Sequence, residues 1–323
     1  MSTKQTSPFL RLPTEIRLMI YEELLLPPTS NEPRSPNGKF VAPIYREDEL
    51  SSSSSSTTTT TTAAPSHHHP RAPRTLQIRT IDPAKLSLVL PPHSTRPTYH
   101  IRDVFRRSTQ ATSFALANNP GLHPSILSTC RQCHAEAAEL LYGGAHAFDF
   151  DTHIEAIVPF FSALTPLARS FVCRVALVKR ALTLCKEFDR AEWRAAFDYM
   201  ARELNVAALG LSLRVVAGKP SGEGGWEEAP TLTAEHFRLI QPRSVRSRPA
   251  SGDGGGSGGG AIAGVDFEWV GQLLWLRGLR DIQIEAIVEH CPTPMSETMA
   301  FWVSFSKSVE AGFRDWVRGV MLA

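Results

Sequence analysis

Residues 128–144, STCRQCHAEAAELLYGG, contain the spacing C-x-x-C-H, in which Cys130, Cys133 and His134 could do chemistry. The same spacing attaches a c-type haem, and paired cysteines also bind zinc or undergo reversible oxidation. Haem would need a further axial ligand, and no Met or His stands in an evident partner motif. Zinc would need four ligands, whereas this segment offers three. We therefore predict no cofactor and no metal ligands.

A redox pair of cysteines requires a particular position in a helix. Such pairs lie at a helix N-terminus, where the helix dipole lowers the thiol pKa. On a helical wheel for residues 124–142, Cys130 and Cys133 fall in the apolar stripe with Ala137 and Leu141. A continuous helix over this range would place both thiols one to two turns inside it. We therefore expect both cysteines to act as small hydrophobic side chains.

The composition limits the possible partners. The chain has 323 residues, with 34 Lys and Arg against 32 Asp and Glu, so no strong field attracts nucleic acid or an anionic membrane. Five scattered cysteines do not form a disulfide framework. The N-terminal sequence lacks the apolar region of a secretory signal, and no stretch of about 18 apolar residues occurs. We predict an intracellular protein, cytoplasmic, nuclear or both, in a reducing compartment.

Two segments have compositions that oppose folding, because they bury too little apolar surface to offset the loss of chain entropy. One holds runs of Ser, Thr and three histidines, and the other contains SGDGGGSGGG. After the Ser, Thr and His runs, the stretch of residues 76–119 contains LQIRTI and KLSLVL, which are plausible strands, and YHIRDVF, which is a possible helical turn. TLTAEHFRLI, inside the second segment, is a possible short helix. The predicted division is a first helix at 8–26, a low-complexity and partly ordered insertion at 27–123, a helix with strand–helix units at 124–217, a flexible linker at 218–264 and final strand–helix units at 265–323.

The segment PFLRLPTEIRLMIYEELL predicts a helix with two apolar faces. Pro13 suits the first helical turn, and Glu15 favours the positive end of the helix dipole. A helix that is apolar on both sides needs a cover on each side. One cover is the protein's own domain, and the other is either a partner or another part of the same chain. The first face carries Leu12, Ile16, Met19, Ile20 and Leu24, and the second carries Leu18, Tyr21 and Leu25.

The C-terminal part alternates strands and helices in four units. The predicted strands are AHAFDF, FVCRVALV, LGLSLRVV and RDIQIEAIV, and the clearest helix is DRAEWRAAFDYMAREL, with Trp193, Phe197, Met200 and Leu204 as its core stripe. This alternation implies parallel strands joined by crossovers. The predicted fold class is α/β, bordering α+β, with leucine-rich-repeat-like units and long disordered insertions. We also expect Gly278 to end one helix and Pro294 to begin the last one.

Two motifs carry a family resemblance. LPTEIRLMIYEELL resembles the opening of an F-box, and together with ILSTCRQCHAEAAELLYGGAHAFDF it is similar to a large group of fungal proteins of unknown function, related to the two-EXR group. Cys133 and His134 fall in variable positions of the second motif. The resemblance covers residues 8–26 and 124–178, and it implies an F-box-like helical N-terminus followed by strands and helices. The matching residues include Glu15, Arg17, Tyr21, Cys130, Arg131, Gln132, Glu136, Leu141 and Tyr142.

The resemblance also implies a function. Leu12, Pro13, Ile16 and Ile20 would face a Skp-type adaptor of a cullin ubiquitin ligase, and the strand–helix units would present a client protein. The alternative is a scaffold or regulatory domain that binds no ligase. In both cases the expected partners are proteins.

No sequence fingerprint of a common enzyme class occurs, so neither enzymatic activity nor catalytic residues are predicted. The nearest to an exception is FDFD, in which Asp149 and Asp151 resemble a pair of metal ligands. Because Phe148 and Phe150 should point inward, we expect these carboxylates to face water at the end of a strand.

Overall fold

A computed structural model describes residues 7–26, 74–82, 99–102, 109–118, 121–180, 190–222, 226–239 and 268–323. The Ser- and Thr-rich tract, the three consecutive histidines, KLSLVL and the Gly-rich run lie outside these ranges. Within them, seven strands form one mixed sheet in the order β2-β3-β1-β4-β5-β6-β7. The strands are β1 (Arg74–Ile81), β2 (Tyr99–Arg102), β3 (Thr109–Leu116), β4 (His146–Asp149), β5 (Arg174–Arg180), β6 (Gly210–Pro220) and β7 (Asp281–Cys291).

Five neighbouring strands of the sheet are parallel. Strand β1 pairs with β4, and β4, β5, β6 and β7 follow one another in space as they do along the chain. Strand β3 is antiparallel to both of its neighbours. Successive strand–helix units give this order because each crossover returns the chain beside the strand it has just left. The predicted α/β class is confirmed.

The helices of the described residues surround and extend this sheet. They are α1 (Thr14–Leu25), α2 (Arg131–Tyr142), α3 (Ile157–Ser162), α4 (Pro166–Phe171), α5 (Arg190–Glu203), α6 (Ala234–Leu239), α7 (Glu268–Leu273), α8 (Glu297–Lys307) and α9 (Arg314–Met321). Short 3-10 turns include Pro8–Arg11 and Pro124–Ser128, and a π-helical turn at Val309–Phe313 joins α8 to α9.

The main core lies between one face of the sheet and its helices. The strand register places Leu177, Leu213 and Ile284 side by side on this face. All three belong to one buried cluster that also contains the predicted stripe of α5, which is Trp193, Phe197, Met200 and Leu204. That stripe is therefore confirmed. Phe237 of α6 is buried in the same cluster, so the short helix predicted within the linker contributes to the core.

A second, smaller core joins α1 to α2. Tyr21 and Leu25 of α1 pack with Cys133, Ala137 and Leu141 of α2, and all five are buried. Tyr142 at the end of α2 connects this unit to the sheet, since its ring stacks on Phe148 of β4 with centroids 6.2 Å apart. The two motifs of the family resemblance are thus in direct contact.

The π-helical turn holds the segment that leads into α6. Leu232 N donates to Ser308 Oγ (2.7 Å), and Lys307 Nζ donates to the carbonyl oxygens of Glu227 (2.9 Å) and Ala229 (2.8 Å). Gly312 lies in the turn, directly beneath the backbone of this segment. The absence of a side chain at position 312 allows the two backbones to approach closely.

Several predicted boundaries are wrong. Residues Tyr99–Arg102 form a strand, not a helical turn, because they pair with β3. Pro294 does not begin the last helix, since the N-cap is Ser296, whose Oγ accepts a bond from Met299 N. Gly278 does not end α7, which stops at Leu273. Gly278 instead lies in a turn after the helix, with a φ of 74°, and its N–H donates to Met321 O (2.7 Å).

Candidate partner-binding site

Helix α1 (Thr14–Leu25) ends within one residue of the predicted helix 8–26 but begins six residues later, because Pro8–Arg11 form a separate 3-10 turn. Pro13 is the N-cap residue, Glu15 lies in the first turn, and the helix ends at Leu25. An acidic residue in the first turn interacts favourably with the unpaired N–H groups at this end of a helix. The preceding 3-10 turn brings Phe9 against Tyr21, with ring centroids 5.8 Å apart. The expected first helix is therefore present.

The inward face of α1 contains Arg17, Tyr21 and Leu25, all of which are buried. The helical wheel predicted Tyr21 and Leu25 on this face but not the guanidinium of Arg17. A buried guanidinium needs a partner for its charge and acceptors for its N–H groups. Both are present, and they come from two different parts of the chain.

Glu136 of α2 neutralises Arg17. Arg17 Nε donates to Glu136 Oε2 (2.9 Å) and Nη2 donates to Oε1 (2.6 Å), which forms a bidentate ion pair. The other N–H groups bond to the carbonyl oxygens of Leu10 and Leu12 and to Thr14 Oγ1. The pair therefore fixes α1, the 3-10 turn before it and α2 in one arrangement.

Glu136 is the centre of this network. Tyr21 Oη donates to Glu136 Oε2 (3.0 Å) and Gln132 Nε2 donates to Oε1 (3.0 Å). These hydrogen bonds, led by those from Arg17, lower the pKa of the Glu136 carboxyl to about 2. Burial raises the pKa of the Tyr21 hydroxyl, so it stays a donor. Four residues of the two sequence motifs thus form one cluster, called here the Arg17–Glu136 cluster (Arg17, Tyr21, Gln132 and Glu136).

The other predicted motif residues have different environments. Leu141 is buried in the smaller core, and Tyr142 links that core to the sheet. Glu15 and Arg131 are exposed. Only some of the motif residues therefore contribute to the Arg17–Glu136 cluster.

The outward face of α1 carries apolar side chains that the described residues leave uncovered. Ile16 is 42% exposed and Met19 is 64% exposed. Leu12 and Ile20 are half-buried, and Pro13 is exposed. We call Leu12, Ile16, Met19 and Ile20 the α1 patch. Met19 was not among the predicted partner-binding residues, although the wheel already placed it on the same face as Ile16.

The start of α2 differs from the predicted continuous helix. The 3-10 turn ends at Ser128, and Cys130 has an extended conformation (φ −161°, ψ 167°), so α2 begins at Arg131. Cys130 is the N-cap residue, and its Sγ accepts a bond from Cys133 N at 3.3 Å. The expectation that both thiols lie one to two turns inside a helix is therefore wrong. Cys133 is buried as predicted, whereas Cys130 is partly exposed.

The prediction that both aspartates of FDFD face water is wrong for Asp149. Phe148 and Phe150 point inward as expected, but Asp149 is buried and its carboxylate accepts both bonds from Arg214 Nη2 (3.1 and 3.2 Å). Asp151 has a φ of 51° and pairs with Arg79 (3.5 Å). The pairing with Arg214, which reaches Asp149 from β6 two strands away, explains why this carboxylate is buried. Among the residues that the structure describes, no three His, Cys, Asp or Glu side chains form a group that could hold a metal ion.

The fold and the site define an α/β protein in which a helix pair, α1 with α2, is attached to a mixed sheet and presents an apolar patch. In the described part of the chain, no helix has the length and apolar character that crossing a membrane requires. Comparison of the chain with family models, with curated proteins and with solved structures gave no match. The F-box-like and fungal-family resemblance therefore stays a prediction.

Proposed function

We propose that this protein is a non-enzymatic protein–protein interaction module, in which the α1 patch binds a partner protein. The partner that the sequence resemblance suggests is a Skp-type adaptor of a cullin ubiquitin ligase, which would make the chain an F-box-like substrate receptor. The observation that carries the proposal is the exposure of Ile16 and Met19 on a helix whose opposite face is firmly held.

The anchoring of α1 supports this role. The bidentate pair between Arg17 and Glu136 fixes the rotation of α1 about its axis, so Ile16 and Met19 point away from α2. An apolar helix face that is already ordered loses little entropy when a partner covers it. Recognition of an apolar helix face by a groove is a common mode of protein association.

The client would bind elsewhere on the chain, to the strand–helix units. Within the described residues, β7 pairs only with β6 and so forms an edge of the sheet. Its Gln283, Glu285 and Val288 are exposed. Part of this edge is already bonded within the chain, because Ala286 N donates to Glu310 Oε1 (2.9 Å) and Ile282 O accepts from Arg318 Nη1 (3.2 Å). The part of β7 that follows Ala286 would offer backbone N–H and C=O groups to an extended segment of another protein. This edge is remote in sequence from α1, which fits a receptor with separate surfaces for adaptor and client.

An Ile16→Asp substitution tests the adaptor interaction. A carboxylate in the centre of an apolar interface should weaken binding by about thirtyfold or more, because a central contact is worth 2 kcal/mol or more. The partner would be identified by affinity capture from the native host with mass spectrometry. Binding of the purified adaptor to wild-type and variant chains would then be measured by calorimetry.

Met295→Asp is the matched control, because Met295 is 94% exposed and distant in sequence from the α1 patch. It should bind the adaptor as the wild type does. An adaptor that binds Ile16→Asp with unchanged affinity would contradict the proposed surface. A wild-type chain that binds no Skp-type adaptor would leave the alternative, a scaffold or regulatory domain without a ligase.

A further inference from the structure

The first turn of α2 contains two thiols with unequal exposure. Cys130 is the N-cap residue and is partly exposed, whereas Cys133, three residues on, is buried with 3% of its surface exposed. Cys133 N donates to Cys130 Sγ (3.3 Å), and the Cys133 side chain contributes to lowering the pKa of Cys130. The two cysteines are therefore neighbours in the first turn of α2, and neither is part of a disulfide.

Cys130 is also accessible from outside. It lines a surface groove together with Leu127, Arg131, His134, Thr165 and Leu167. The floor of the groove is ordered, since the His134 ring contacts Leu127 O (3.2 Å) and Thr165 Oγ1 (3.1 Å). Arg131 is exposed beside it and supplies a positive charge. A small anionic molecule could thus reach the sulfur of Cys130 but not that of Cys133.

The surroundings of Cys130 favour its thiolate. Hydrogen bonds from the backbone N–H and the thiol of Cys133 lower the pKa of Cys130. A thiolate at a helix N-terminus also faces the unpaired N–H groups of the first turn. The thiolate is the form that attacks disulfides. An exposed nucleophilic thiol followed by a buried second thiol is the arrangement that reversible dithiol oxidation needs.

We propose that Cys130 and Cys133 form a redox-active dithiol that exchanges with small disulfides carrying carboxylates, such as glutathione disulfide. The Cys130 thiolate attacks one sulfur of the disulfide, so that a mixed disulfide forms and one thiolate leaves. The Cys133 thiol then gives up its proton and attacks Cys130 Sγ, which releases the second thiolate. The protein loses two hydrogen atoms and gains one internal disulfide, and the disulfide is reduced to two thiols.

Oxidation of the two cysteines would also affect the Arg17–Glu136 cluster, which holds α1 on α2. Tyr21, whose hydroxyl donates to Glu136, is buried with Cys133 in the smaller core. When the internal disulfide forms, Cys133 Sγ is bonded to Cys130 Sγ and the Cys133 thiol no longer carries a proton. The redox state of this pair is thereby linked to the Arg17–Glu136 cluster and to the presentation of the α1 patch. This site does not depend on which partner binds α1.

The test is equilibration of the full-length wild-type chain with mixtures of reduced and oxidised glutathione, followed by acid quenching, alkylation and peptide mass spectrometry. We expect a disulfide between Cys130 and Cys133 in the oxidising mixtures and its complete loss in the reducing ones. Cys133→Ser should instead accumulate glutathione on Cys130. Cys130→Ser should lose both products, and Cys173→Ser, a change at a half-buried thiol, should behave as the wild type.

Two results would overturn the proposal. One is a wild-type chain that stays fully reduced in the most oxidising mixture. The other is glutathione attachment to Cys173 or Cys291 as readily as to Cys130 of Cys133→Ser. Because Cys133 is buried and its substitution could disturb folding, alkylation of the wild-type chain at several pH values provides a second measurement. It should show Cys130 reacting faster than Cys173 at neutral pH, and equal rates would also contradict the proposal.

Discussion

Replacing Gly312 with alanine is expected to lower the free energy of unfolding by about 3 kcal/mol or more. A Cβ atom at this position would lie 2.1 Å from Leu232 O and 2.8 Å from the Cα and carbonyl carbon of Thr233. These are backbone atoms, and the bond from Leu232 N to Ser308 Oγ (2.7 Å) holds them in place. They can move away only if that bond breaks and the packing of Phe237 loosens. Urea denaturation followed by tryptophan fluorescence would measure the loss.

Gly319→Ala is the matched control for this prediction. Gly319 lies in α9, is exposed, and a Cβ there would meet no atom within 4 Å. Alanine is favoured over glycine in a helix by about 1 kcal/mol, so this variant should be as stable as the wild type or more stable. Equal midpoints for Gly312→Ala and the wild type would show that the segment before α6 does not pack on the π-helical turn.

Removing one member of the Arg17–Glu136 pair is expected to release α1 from α2. Arg17→Met keeps a long apolar side chain but leaves the carboxylate of Glu136 with only Tyr21 and Gln132 as donors. The α1 amides should lose more protection from exchange in Arg17→Met than in Tyr21→Phe, because Tyr21→Phe removes only one hydrogen bond from the same carboxylate. Hydrogen exchange of the α1 amides would report the release directly, because exchange there depends on local opening.

A double-mutant cycle separates the pair from its surroundings. Arg17→Met combined with Glu136→Leu removes both charges, so the double variant should exchange its α1 amides more slowly than Arg17→Met alone. Strictly additive effects of the two substitutions would mean that the ion pair does not couple the helices.

The Arg17–Glu136 pair also predicts how the stability of the α1–α2 contact changes with pH. The pKa of Glu136 is lowered to about 2 in the folded chain from a reference value of 4.5. Its contribution to stability is thus complete above the reference value and is lost as the pH falls from there toward 2. Protection of the α1 amides should decline over this range in the wild type and decline less in Arg17→Met, where the lowering of the pKa is weaker.

Periodic patterns predicted most of the main sheet. The strands β4 to β7 alternate apolar residues with period two, and Trp193, Phe197, Met200 and Leu204 recur at helical spacing, so local sequence alone indicated them. The two apolar faces of α1 were also visible on a helical wheel. These features depend on neighbouring residues, which is why a single sequence was sufficient.

The remaining features depend on residues that are distant in the chain. Glu136 lies 119 positions from Arg17, and nothing in the local sequence of either helix announces the pair. Strand β3 has little apolar alternation and is defined by its pairing with β1 and β2. The break before Cys130 was missed because the apolar stripe continues across it, while the cap that starts α2 is a bond from Cys133 N to a sulfur. Cysteine is not among the usual N-cap residues.

The attachment of α1 has a consequence for chain continuity. Its described contacts with α2 are non-covalent, and the peptide chain from residue 27 to residue 73 joins α1 to β1. A covalent connection keeps the effective concentration of one piece around the other above that of a free peptide. Proteolytic cleavage within residues 27–73 would turn α1 into a dissociable peptide ligand. Its retention would then depend on dilution, as in fragment complementation.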